Sequence, residues 1–240
     1  MNESFETGWY GKLPSSGDFV TRRVHPAFVE PWDAWLNAML AGSRERLGAG
    51  WRDAFLSAPA WRFVLAPGVL TMEGWAGVIV PSVDAVGRHF PLTVVARLPS
   101  KNIDPVATLV RAHRWYAEVE PVVSVVLAPS ADMSTFDAQL ANRPFPGEVL
   151  AMLESSDETI PPRGRGQRAL WIPLGPEFQG EAGFRGLAKP LAEPYSAWLA
   201  EESEIFGRSL MLCEKLPGVE QFCAMLNGEW TPRPHERRSA

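Results

Sequence analysis

Between His25 and Trp51 the apolar residues of HPAFVEPWDAWLNAMLAGSRERLGAGW return with helical spacing. Phe28, Trp32, Trp35, Leu36, Met39 and Leu40 stand at i, i+4, i+7, i+8, i+11 and i+12, one face of a helix. Pro31 fits a first turn, Asp33 the positive N-terminal end, and Gly48 the stop. Before this helix, residues 7–13 are short and aromatic enough for a strand. After it come two short apolar runs, WRFVLA (61–66) and WAGVIV (75–80), then the partly alternating LTVVARL (92–98). All three are bounded by Pro or Gly, as strands are. Consecutive strands with no helix between them favour antiparallel pairing. The connector PSVDAVGRHFP is long for a hairpin turn, which marks it as a place to look for function.

The second half reads less clearly. DPVATLVRAHRWYAEVE predicts a helix with Asp104 as N-cap and Val106, Leu109, Val110, His113 and Ala117 on one face, interrupted by Pro121. Residues 142–168 are rich in Pro, Gly and charge and predict loop, with a short helix around Glu148–Glu154. ALWIPL (169–174) predicts a strand, PLAEPYSAWLAEES a helix, RSLMLCEKL a strand and GVEQFCAMLNGEW a closing helix. The tail TPRPHERRSA (231–240) is expected to be flexible. There is no internal repeat or sustained heptad. A helix-covered sheet, α/β in class, fits this order.

The composition narrows the field. A chain of 240 residues suits one large domain or two small ones and should bury roughly 70–75% of its unfolded surface. A net charge of -5 argues against a nucleic-acid binder or a polybasic membrane-surface protein. Ten tryptophans, each able to bury ~150–250 Å², are expected to be mostly core, Trp32 and Trp35 among them. Cys213 and Cys223 suggest neither a disulfide framework nor a metal knuckle, and buried free thiols are expected. The opening residues lack the basic and apolar regions of a signal peptide, and no apolar run approaches the ~18–20 residues of a membrane span. A cytoplasmic protein without direct membrane insertion is expected.

GWYGKLPSSGDF (8–19) imitates a phosphate-binding loop. A Walker loop needs Gly, four residues, Gly-Lys, then Ser or Thr. Here Leu13 follows Gly11-Lys12 and Glu6 holds the place of the first glycine. Pro14 follows instead of a helix start, so the phosphate cradle at a helix N-terminus is missing. Structure is therefore the expected duty of this stretch. Trp9 and Leu13 would pack inward, Pro14 to Gly17 would form a tight turn, Gly17 would take a positive φ, and Asp18 would tie the backbone.

No Gly-x-Ser-x-Gly elbow occurs. Ser82, Asp84 and His89 contain triad residue types, but triad members must converge through hydrogen bonds, and proximity in sequence does not supply these. His25, His89, His113 and His235 share no metal spacing. Asp132, Asp137, Glu154, Asp157 and Glu158 read as loop or solvated-face carboxylates. PPRGRGQR, with Arg163, Arg165 and Arg168, is a basic cluster suited to an acidic or phosphorylated partner. No catalytic residue, metal site or cofactor site is expected from these patterns.

The order GWYGKLPSSGDFV, PWDAWL, SRERLGAGW, APAWRFVLAPG, WAGVIVPSVDAVGRHFPL resembles the TagF (ImpM) family, associated with bacterial type VI secretion systems. The match is dense over residues 8–98 and looser beyond, where LPGVEQFCAML continues it. The resemblance implies a three-layer α/β/α sandwich. With the strand order it predicts a mixed, largely antiparallel central sheet in a single domain spanning 1–230. It also implies a non-enzymatic, cytoplasmic, post-translational repressor that binds the forkhead-associated scaffold of the apparatus. Some relatives carry a fused PP2C-type phosphatase, whose Asp-Gly metal signature is missing from this chain. A small hydrolase or phosphatase of the same pathway and a structural subunit of the apparatus are the alternatives. The expected partner-binding residues are Asp84, Arg88 and His89 in the connector and Arg163 and Arg165 in the basic loop. The reason is that charged loop residues carry no packing duty. No cofactor, nucleic acid or small-molecule substrate is expected.

Overall fold

The computed structural model describes residues 4–99, 103–150, 169–175, 194–203 and 206–230. In chain order the elements begin with β1 (Ser4–Phe5), β2 (Thr7–Gly11), β3 (Val20–Arg22) and α1 (Pro26–Leu47). A 3-10 turn (Gly48–Gly50) leads into α2 (Trp51–Ser57), followed by β4 (Trp61–Leu65), β5 (Gly74–Val80) and β6 (Leu92–Leu98). Next come α3 (Pro105–Arg111), α4 (His113–Val126), α5 (Met133–Ala141), β7 (Phe145–Pro146) and β8 (Ala169–Pro173). Strands β9 (Tyr195–Ala200) and β10 (Ser209–Glu214) and helix α6 (Val219–Asn227) follow.

Eight strands form one sheet in the order β3-β2-β6-β5-β4-β9-β10-β8, and β1 pairs with β7 separately. Every pair among the described residues is antiparallel, in keeping with the largely antiparallel sheet expected, and no parallel pair is found among them. Side chains alternate across it, as the two-residue period of a strand requires. On β4, Trp61, Phe63 and Leu65 enter one core and Val64 the other. The first core lies under α1, α2 and α6 and holds Trp32, Trp198 and Phe63; the second lies under α3, α4 and α5 and is largely aliphatic. Two cores on one sheet make the three-layer sandwich.

Helix α1 shows how local chemistry sets an element. His25 caps it, with Nδ1 accepting from the N–H of Ala27, and Gly48 ends it at φ 54°. Pro31 therefore lies inside the helix instead of in its first turn. Asp33 does not sit at the N-terminal end either; it accepts the hydroxyl of Tyr10 on β2. Phe28, Trp32, Leu36, Met39 and Leu40 are all buried, while Trp35 packs at the edge of the same core. The Trp32 indole N–H donates to Thr93 Oγ1 of β6 at 2.9 Å, so the buried ring leaves no unsatisfied donor.

Several expectations fail for physical reasons. PLAEPYSAWLAEES holds no helix at Tyr195–Ala200; these residues form β9, inserted between β4 and β10 with all six buried. The helix expected from residue 104 is two, breaking at Ala112. Asp104 does cap the first, accepting from the N–H of Ala107 at 3.0 Å. The break resets the helical phase, and His113 and Ala117 are exposed instead of facing the core. Pro121 does not interrupt α4, which continues to Val126. Helix α5 was not expected, and Asp132 caps it through the N–H groups of Ser134 and Thr135. Asp137 is an ion-pair partner of Arg23 at 2.8 Å, not a solvated carboxylate.

Candidate partner-binding site

The β2–β3 and β5–β6 loops lie side by side at one end of the sheet. Lys12, which imitated a phosphate-binding lysine, is 5% exposed. Its Nζ donates to Asp84 Oδ2 at 2.8 Å. The Arg88 guanidinium Nε donates to the same oxygen at 2.6 Å, and the N–H groups of Val86 (3.1 Å) and Arg88 (2.8 Å) donate to Oδ1. The loops are further joined by the Ser82 hydroxyl donating to the Lys12 carbonyl at 2.7 Å and the Ala85 N–H donating to the Ser16 carbonyl at 3.0 Å. Arg88 also reaches across to the Gly17 carbonyl.

Burial alone would raise the Asp84 carboxyl pKa. The hydrogen bonds from Lys12, from the Arg88 backbone and side chain and from Val86 outweigh it and hold the group well below the usual carboxylate range. The premise that charged loop residues have no packing duty thus fails for Asp84, which is buried and fastens both loops. Arg88 is half engaged: it holds Asp84 yet is 56% exposed at its side chain.

Glycine is required where the chain leaves β2. Gly11 has φ 139°, and a Cβ there would stand 2.3 Å from the Pro91 carbonyl oxygen. Gly17, expected at positive φ, is not among the positive-φ residues. The turn is held instead by the Ser16 N–H donating to the Leu13 carbonyl at 2.9 Å, and Ser16 Oγ, not Asp18, ties the backbone.

His89 stands edge-on to Trp51 and Phe55, with ring centroids 5.5 and 5.6 Å away. Its Nε2 is buried, with no hydrogen-bond partner among the described residues. Burial lowers the imidazole pKa, and the charges of Arg52 and Arg44 lower it further against the opposing pull of Asp84. Ser82, Asp84 and His89 are engaged separately, with Ser82 on a carbonyl, Asp84 on cations and His89 on aromatic rings. They form no proton relay. Cys213 and Cys223 are buried and free, as expected. Arg163, Arg165 and Arg168 lie outside the described residues, as do Glu154, Asp157, Glu158 and His235.

Sequence reasoning missed Lys12 as the partner of Asp84, and it missed Arg44 and Arg52. The first signal was present: a lysine at the exit of a short aromatic strand, here buried throughout, needs a buried counter-charge. The arginines are brought together only by the chain reversal at Gly48, which places the last turn of α1 beside the first turn of α2. Arg44 lies over the Trp51 ring at 4.2 Å.

The sandwich with its two fastened loops defines a protein with a preformed, polar surface at one end of the sheet. Residues 8–143 match the family model described as TagF N-terminal domain, Type VI secretion system-associated. The chain belongs to this family and is therefore type VI secretion system-associated. It is similar along nearly its whole length to the crystal structure of PA0076 from Pseudomonas aeruginosa PAO1. The two share 37% identity at a TM-score of 0.69, over 95% of this chain and 97% of that one. No curated protein matches the chain. Among the described residues no helix is long and apolar enough to cross a membrane.

Proposed function

We propose that this protein is a non-enzymatic, cytoplasmic negative regulator of type VI secretion. It acts post-translationally by binding the forkhead-associated scaffold of the apparatus and blocking assembly or activation. Membership of the TagF family carries this reading. The fastened loop pair supports it, because a surface held rigid before binding loses little conformational entropy when a partner docks. Occupancy is sufficient for such control: free repressor at ten times the dissociation constant leaves ~9% of the scaffold unbound.

Titration calorimetry of the full chain against full-length scaffold, phosphorylated and unphosphorylated in separate runs, tests this. The expected result is saturable binding, micromolar or tighter, to at least one form. Binding to neither overturns sequestration of that scaffold. Deleting the gene should raise secretion, whereas loss of a structural subunit would abolish it.

A further inference from the structure

Among the described residues five large apolar side chains stand exposed: Phe19, Leu56, Met72, Val86 and Val125. Apolar residues scattered singly over a surface are ordinary. Phe19 and Val86 are not scattered, because they sit on the two loops that Asp84 fastens and flank that one carboxylate. Asp84 Oδ1 accepts the Val86 N–H at 3.1 Å, and Oδ2 accepts from Lys12 Nζ at 2.8 Å. The same Nζ lies 4.8 Å from the centre of the Phe19 ring.

Both projections are held in place. The Phe19 ring stacks on Tyr10 at 5.8 Å and meets Phe90 edge-on at 4.7 Å, yet Phe19 remains 47% exposed. Val86 is the third residue of a β-turn closed by the Gly87 N–H, which donates to the Asp84 carbonyl at 3.0 Å, with Gly87 at φ 85°. The Asp84 N–H donates to the Arg88 carbonyl at 3.0 Å and closes the base of the turn. Folding explains Asp84 and Gly87, the residue types a turn favours at its first and fourth places. It does not explain Val86. A turn position in solvent favours Asn, Asp, Ser or Gly, and here a β-branched apolar side chain stands 70% exposed.

The charges at this end cancel. The two loops, 12–19 and 81–91, carry Lys12, Arg88, Asp18 and Asp84, two of each sign. Around them Arg22 is exposed on β3, and Asp33 accepts the Tyr10 hydroxyl. Arg44 and Arg52 bear on His89, and Glu45 and Asp53, both exposed, follow those arginines in the chain.

We propose that Phe19 and Val86 form a rigid pair of apolar knobs that enter an apolar hollow on a folded protein partner. Balanced charge supplies no field to draw in a polyanion or an anionic membrane surface, so apolar fit selects the partner. Knobs already fixed by a ring stack and a closed turn surrender little conformational entropy on docking. Asp18 and the half-exposed Arg88 stand beside them and call for one group of each sign at the rim of the hollow. Naming the scaffold as that partner rests on the function proposed above.

The test is titration of full-length scaffold with the full chain and its variants. Val86→Glu should weaken binding tenfold or more, since it carries a carboxylate into an apolar hollow. Met72→Glu, 86% exposed in the β4–β5 loop at the other end of β5, should bind like wild type. Val86 is the primary probe because Phe19 covers Lys12, so its replacement would also disturb the fastening. Thermal unfolding of Val86→Glu should match wild type, and Val86→Ser repeats the test if it does not. Wild-type affinity in a folded Val86 variant, or an equal loss in Met72→Glu, overturns the surface and leaves the regulator. Absence of scaffold binding by wild-type protein removes the regulator, and the surface as its dock falls with it. Wild-type protein is also run with phosphatidylcholine vesicles and in sedimentation alone. Vesicle binding or a dimer that Val86→Glu abolishes overturns the proposal in favour of a bilayer or a second copy of this chain.

Discussion

Removing the Asp84 carboxylate strands Lys12, whose ammonium sits in a site that excludes water. Truncation of one partner of a buried ion pair costs about 3–5 kcal/mol, and Asp84→Ala should lose that much in urea unfolding. Lys12→Met should cost less, about 1–3 kcal/mol, because Asp84 keeps Arg88 and two backbone N–H donors. Acid should expose the same asymmetry. The folded Asp84 pKa lies below the ordinary value of ~3.9, so its contribution is full above that value and is lost as pH falls toward the folded one. His89 acts in the same direction at higher pH. Its folded pKa is lowered from about 6.5, so the neutral ring's contribution is present above that pH and is lost as pH falls through the folded value. Arg44 on α1, Arg52 on α2 and Asp84 in its own loop are the charges that set it. His89→Phe should remove the loss of stability that sets in below about pH 6.5 and leave the Asp84 acid limb intact, as unfolding at stepped pH would show.

Element by element, legibility followed the range of the deciding contact. Helix α1 was readable because its spacing, its stop and its apolar face are all local. The strands β4, β5 and β6 were readable because each is a short apolar run between Pro or Gly. Strand β9 was not, since Tyr195, Trp198 and Leu199 also stand at i, i+3 and i+4. Only pairing with β4 and β10, distant in sequence, selects the extended form. Of the candidate site, the connector was legible as a loop too long for a hairpin turn. The burial of Asp84 was not, because its partner Lys12 lies 72 residues away. At the junction of β2 and its loop, Gly11→Ala should cost at least ~2 kcal/mol, combining positive-φ strain with a backbone clash. A thermal-unfolding comparison would check it.

At the scale of the molecule, loss of function and loss of folding must be kept apart. Trp32→Ala should cost ~3–5 kcal/mol out of a typical total of ~5–15 kcal/mol, so its loss of scaffold binding would report unfolding. Arg88→Glu is also compromised, since Arg88 holds Asp84. The two thiols give a check on intactness: burial pushes both up in pKa. A disulfide reagent should modify Cys213 and Cys223 far more slowly in native than in urea-unfolded protein. The division of the sheet into two cores has an optical consequence. Eight of the ten tryptophans belong to or pack against the α1 side, with only Trp9 and Trp115 in the other core. Trp32 and Trp198 stack 6.2 Å apart with planes 6° from parallel, and Trp32 lies 4.6 Å from Trp35. Intrinsic fluorescence and near-ultraviolet dichroism therefore watch mainly one side of the sheet, and a loosening of α3, α4 and α5 alone would be read only through Trp115 on α4 and Trp9, whose indole N–H donates to Asp137 of α5.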